Sequence, residues 1–138
     1  MGAPNRATVM FKGKWEARPS EIEAYRRLLQ RFLAGRPDIP NDPYKWPHIA
    51  NGNTRNYIAK TREKLFPTTP HLIGRARNVT IEWVINTDID EATMLKVLKQ
   101  FAKAANYGLG EDWDWDSGSG KLSTKMAELM ALAIDLDF

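Results

Sequence analysis

The sequence predicts one α+β domain over residues 1–138, an antiparallel sheet with helices packed on one face. Two observations carry this. Segments that alternate apolar and polar residues, the mark of half-buried strands, fall near the start and in the middle of the chain. Segments with apolar residues every three or four positions lie between and after them, and Gly, Pro and Asn clusters separate the two kinds.

Ala7 to Trp15 alternates, with Ala7, Val9, Phe11 and Trp15 on one face and Thr8, Met10, Lys12 and Lys14 on the other. A first helix follows Pro19. Ser20 and Glu23 form a capping box, Ile22, Tyr25, Leu29, Phe32 and Leu33 make the inward stripe, and Gly35 ends it. Arg26, Arg27 and Arg31 lie largely off that stripe. Residues 36–53 carry Pro37, Pro40, Pro43 and Pro47 and read as irregular backbone anchored by Tyr44 and Trp46. Asn53 or Thr54 is expected to cap a second helix that runs to about Phe66, with Tyr57, Ile58, Thr61 and Leu65 inward and Arg55, Lys60, Arg62 and Lys64 making it basic.

His71 to Asn86 reads as strand, with Val79, Ile81, Trp83 and Ile85 on one face and Gly74 as a point of division. Asp88 and Glu91 are expected to cap a third helix to about Asn106. Its stripe is Met94, Leu95, Leu98, Phe101, Ala102 and Ala105, and Lys96, Lys99 and Lys103 line another face. A glycine-bracketed loop, Tyr107 to Gly120, comes next. Lys121 to Ile134 has helical spacing, and the last residues fit helix or strand.

The chain has no cysteine, which removes disulfides, thiol nucleophiles and zinc-thiolate sites. No apolar run approaches the roughly 20 residues of a membrane helix, and the first residues show no signal-peptide core, so a cytoplasmic location is expected. The net charge of +3 divides unevenly. Residues 1–77 hold 15 Lys and Arg against 6 Asp and Glu, whereas residues 78–138 hold 5 against 11. Such asymmetry points to two surfaces with different partners, unless the halves interleave in space.

The loop Gly108-Leu109-Gly110-Glu111-Asp112-Trp113-Asp114-Trp115-Asp116 is the most distinctive stretch. Gly118-Ser119-Gly120-Lys121 is no phosphate loop, because Leu122 follows the lysine and no apolar strand feeds it. Asp112, Asp114 and Asp116 start like a calcium loop, but Ser117 and Ser123 stand where Gly and Glu belong. No metal or cofactor is expected. His48 and His71 lie near no pattern of a catalytic triad or a zinc site, so a non-catalytic protein is expected. Two readings of the loop remain. Either its indoles fold back onto the core, or its carboxylates and Trp113 and Trp115 dock on a basic partner.

Arg75-Ala76-Arg77 before a strand, an amphipathic helix over Glu91–Asn106 and the G-x-G pairs resemble the C-terminal half of RAMP-type proteins, the ferredoxin-like RNA-binding subunits of CRISPR effector complexes. Small phage proteins carry a similar segment. The resemblance covers about residues 72–122. It implies a ferredoxin-like sheet and a loop that touches RNA. Here that loop is acidic, the segment after it looks helical, and the chain is far shorter than a backbone subunit. The resemblance, with the sign of the loop reversed, implies a phage-type inhibitor of the anti-CRISPR kind. It would dock on a protein or ribonucleoprotein complex through Glu111, Asp112, Trp113, Asp114, Trp115 and Asp116.

The alternative expectation is a stand-alone single-stranded RNA- or DNA-binding protein. It would use Arg26, Arg27, Arg31, Arg55, Lys60, Arg62, Lys96, Lys99 and Lys103 for phosphates, with Tyr44 and Trp46 as stacking aromatics.

Overall fold

The computed structural model describes residues 7–52 and 56–116. Its elements are β1 (Ala7–Phe11), β2 (Lys14–Arg18), α1 (Glu21–Gly35), α2 (Trp46–Ala50), β3 (Ile58–Ala59), α3 (Arg62–Leu65), β4 (Ala76–Asn78), β5 (Val84–Asn86), α4 (Glu91–Ala105) and β6 (Trp113–Asp116). The fold is α+β. The antiparallel strands divide between two three-stranded sheets, ordered β2-β1-β6 and β3-β5-β4. Two compact units result, residues 7–24 with 107–116, and residues 25–106. No helix among the described residues is long and apolar enough to cross a membrane. The expected helix over Lys121–Ile134 and the caps Asn53 and Thr54 lie outside the described residues.

In the first unit, the expected single strand from Ala7 to Trp15 is a hairpin. Lys12 and Gly13 both take positive φ, 52° and 83°, which makes a two-residue turn whose twist matches the flanking strands. The turn pairs Met10 with Trp15 and Val9 with Glu16. Trp15 therefore shares a face with Met10, not with Val9, and is exposed rather than buried. The start of α1 is as expected, with Glu23 N donating to Ser20 Oγ at 3.2 Å.

In the second unit, α1 buries Tyr25, Leu28, Leu29, Phe32 and Leu33. The proline-rich segment is anchored by Trp46, packed on Trp83 and Phe101, but not by Tyr44, which stands in solvent. A 3₁₀ turn forms at Ile39–Asn41, and Asp42 Oδ1 accepts from Tyr44 N at 2.8 Å and from Lys45 N at 3.1 Å. That Asx turn starts α2. The expected second helix shrinks to the four residues of α3. Ile58 and Ala59 are drawn into the sheet, where Ile58 pairs with Ile85, and Thr61 becomes the cap by accepting from Lys64 N at 3.3 Å.

The expected strand from His71 to Asn86 is also broken. Pro70–Arg75 is a 3₁₀ turn, and β4 and β5 form a hairpin. Thr80 Oγ1 accepts from Glu82 N and Trp83 N, both at 3.2 Å, and turns the chain so that Val79 is buried and Ile81 fully exposed. Ala59, Leu65, Phe66, Ala76 and Val84 form a core against this sheet.

The third helix is the most faithful to its pattern. Met94, Leu98, Phe101, Ala102 and Ala105 are buried with Val97, and Asn106 ends the helix at φ 61°. Arg36 joins this end of α4 to the end of α1. Its Nη1 donates to Ala105 O at 2.9 Å, while its Nε and Nη2 hold Asp38 at 2.9 and 2.8 Å. Those guanidinium hydrogen bonds lower the Asp38 carboxyl to about 2.

The cap of α4 is Asp90 rather than Asp88, because Asp90 Oδ1 accepts from Thr93 N at 2.8 Å. Its bonds to the Thr93 side chain and backbone lower the Asp90 pKa below the ordinary 3.8. A lowered folded-state pKa gives stability that is complete above the unfolded value and lost as pH falls through the folded one. Denaturant midpoints measured from about pH 5 downward should therefore drop below about pH 3.8 more steeply in the parent than in Asp90→Asn, which keeps an acceptor but does not titrate.

Candidate nucleic-acid interface

The glycine-bracketed segment takes its order from its own backbone. Asp112 N donates to Gly108 O, and Asp112 Oδ2 accepts from Gly108 N, both at 2.7 Å. Gly110 sits at φ 85°, and its N–H donates to Trp113 O at 2.6 Å. Lys12 Nζ lies 3.4 Å from Asp112 Oδ1 and 4.7 Å from the centre of the Tyr107 ring. The Gly108 N–H and Lys12 together hold the Asp112 carboxyl below its usual range. This carboxylate is spent inside the turn.

The next residues are a strand and not a loop. β6 pairs with β1, placing Trp115 opposite Val9 and Trp113 opposite Phe11. Trp113 is 1% exposed and Trp115 3%. Asp114 is buried and accepts from Trp115 N at 2.8 Å. Of the six residues expected to meet a partner, Glu111 alone is exposed, with Asp112 and Asp116 half-buried. The indoles belong to the core, where aromatic burial contributes most. The docking expectation needed them in water.

The residues expected to meet nucleic acid separate into two groups. Arg26 Nη1 donates to Asn78 O at 3.1 Å, and Arg62 donates to Ala76 O and Asn78 Oδ1, both at 2.8 Å. Arg27 Nη1 donates to Gln30 Oε1 at 3.3 Å, and Arg31 is half-buried on α1. Arg26, Arg27 and Arg62 hold protein. Arg55 lies outside the described residues. Tyr44, Lys60, Lys96, Lys99 and Lys103 are exposed, and Trp46 is half-buried.

Tyr44 and Lys103 meet at a cavity of about 380 Å³ between the start of α2 and the end of α4, lined also by Lys45, His48, Ile49, Gln100 and Ala104. Tyr44 is 84% exposed. Ile49 and Ala104 are the cavity's aliphatic lining. The titratable groups of the lining are a phenol, two ammonium groups and an imidazole, and no carboxylate is among them. Gln100 Oε1 is buried without a hydrogen-bond partner among the described residues.

The sequence had pointed to Tyr44 and Lys103 but not to Lys45 or His48. The available signal was the Asn41-Asp42-Pro43 turn, which presents Tyr44-Lys45 and, one helical turn on, His48. No cluster of three or more potential metal ligands occurs among the described residues.

The buried position of Trp113 makes a direct prediction. Trp113→Ala should cost about 3–5 kcal/mol of unfolding free energy, measured by chemical denaturation, as large-to-small core changes do. A change of less than about 0.5 kcal/mol, the size expected of a surface position, would return this residue to a docking role. No family model, curated protein or solved structure matches this chain.

Proposed function

We propose that this protein binds single-stranded RNA or DNA, without acting on it chemically, at the cavity between α2 and α4. The observation that carries the reading is the Tyr44 ring, almost wholly in solvent, beside Lys45, His48 and Lys103 with no carboxylate in the lining. An exposed aromatic face is a platform for a base, and every base has a π-face to place on it. Ammonium groups around it neutralise phosphates and release their counterions. The cavity also lies within the range of about 300–1,000 Å³ usual for ligand sites, which suits a nucleotide unit. Lys96 and Lys99, exposed on the same helix as Lys103, extend the positive field along α4.

A labelled oligo(dT) or oligo(U) 12-mer, followed by fluorescence anisotropy, tests the reading. Binding should weaken with salt, by a slope of about 0.7 in log K per log unit of salt for each phosphate neutralised. Tyr44→Ala should cost about 1–3 kcal/mol of binding free energy, the worth of one stacked base. Lys103→Glu should weaken binding at all sequences and flatten the salt slope. Absence of binding at low ionic strength would refute the reading.

A further inference from the structure

An edge strand leaves half of its backbone groups without a ladder partner. Strand β4 is the outer strand of its sheet, ordered β3-β5-β4. Arg75 O accepts from Thr87 N at 3.0 Å on the β5 side, and backbone direction alternates along an antiparallel strand. Ala76 and Asn78 therefore turn their carbonyls outward, and arginines cover both. Arg62 Nη1 and Arg77 Nη1 donate to Ala76 O at 2.8 and 3.0 Å, and Arg26 Nη1 donates to Asn78 O at 3.1 Å.

Two guanidinium groups thus share one oxygen. Each nitrogen lies within 3.0 Å of it, so the two cations stand less than twice that distance apart. Neither forms an ion pair with an Asp or Glu among the described residues, and Glu63, next to Arg62 in sequence, is exposed. Neutral donors would close the edge without repulsion. Like charges this close repel, and an anion beside them offsets that cost.

Holding carbonyls also spends only part of each group, because a guanidinium carries five N–H donors. Arg77 Nη1 gives its two to Gly74 O and Ala76 O, both at 3.0 Å, which fixes the group and leaves Nε and Nη2 to donate elsewhere. Arg62 Nη2 donates to Asn78 Oδ1 at 2.8 Å, which turns the Asn78 amide and leaves its N–H donors over. Planar forks of this kind take phosphate oxygens two at a time. A side chain already held by carbonyls loses little entropy on binding.

We propose that Arg62, Arg77 and Asn78, at the outer edge of β4, form a binding site for a phosphate group. The site shares no residue with the Tyr44 cavity and does not rest on the nucleic-acid reading. Its phosphate is either free or part of a nucleic-acid strand, and two titrations separate these sources.

In the first, the full chain takes up inorganic phosphate against chloride at equal ionic strength, with arginine side-chain and amide signals followed by NMR. Saturable shifts are expected at Nε–H of Arg62 and Arg77 and at the Asn78 side-chain amide. Arg77→Gln should weaken binding roughly tenfold, as loss of a charge-assisted hydrogen bond does. Arg77→Lys should restore only part of it, because an ammonium has no fork. Lys14→Gln, a change at an exposed position of β2, should leave the affinity as it was. Arg77 is exposed, so circular dichroism can verify the fold of its variants. In the second titration, oligo(dT) shifting the same signals assigns the phosphate to a strand, and silence there assigns it to a free phosphate. Both outcomes uphold the site. Shifts that stay linear in phosphate, parental affinity in Arg77→Gln, or an equal loss in Lys14→Gln overturn it and leave the Tyr44 cavity in place. Oligo(dT) that binds nowhere, with phosphate still saturating Arg77, overturns the nucleic-acid reading alone.

Discussion

Trp46 stands edge-on to Trp83 at 5.0 Å and to Phe101 at 6.0 Å, and Phe101 in turn meets Phe32 at 5.4 Å. This chain of rings ties α2 to α4, α1 and the turn before β5. A five-residue helix has no stability of its own in water, because nucleation costs more than so few hydrogen bonds return. Helix α2 exists because Asp42 starts it and Trp46 is packed. The positions of Tyr44, Lys45 and His48 follow from that turn and that indole together, and with them the wall of the Tyr44 cavity.

The two long helices were legible in the sequence because their stripes repeat over four turns, and a long repeat outweighs local noise. The short elements were not. Tyr57, Ile58, Thr61 and Leu65 fit a helical stripe, yet Ile58 joins a sheet whose partner, Ile85, lies far along the chain. Val79 and Ile81 continue the alternation of a strand, yet the Thr80 hydroxyl turns the backbone beneath them. In each case a tertiary pairing or a single side-chain hydrogen bond overrode the local pattern. The cavity was half legible for the same reason. Tyr44 and Lys103 are 59 positions apart in number, and only the packing of α2 on α4 brings them to one wall.

The most conspicuous stretch of sequence has a structural use. Trp113 and Trp115 fill the interior beside β1, Asp112 closes its own turn, and Asp114 is buried. Charge asymmetry along the chain also misleads, because arginines counted with the basic half, such as Arg26 and Arg62, are engaged with backbone carbonyls. The proposed binding surface rests on charge around an exposed ring, not on charge summed over a segment.

Function therefore turns on which surface meets a ligand. Amide chemical-shift mapping with unlabelled oligo(dT) at low salt separates the possibilities most directly. Perturbations are expected at Tyr44, Lys45, His48, Gln100 and Lys103, with residues 108–116 unmoved. Perturbations concentrated at Glu111–Asp116, with the α2 and α4 residues silent, would contradict the proposal.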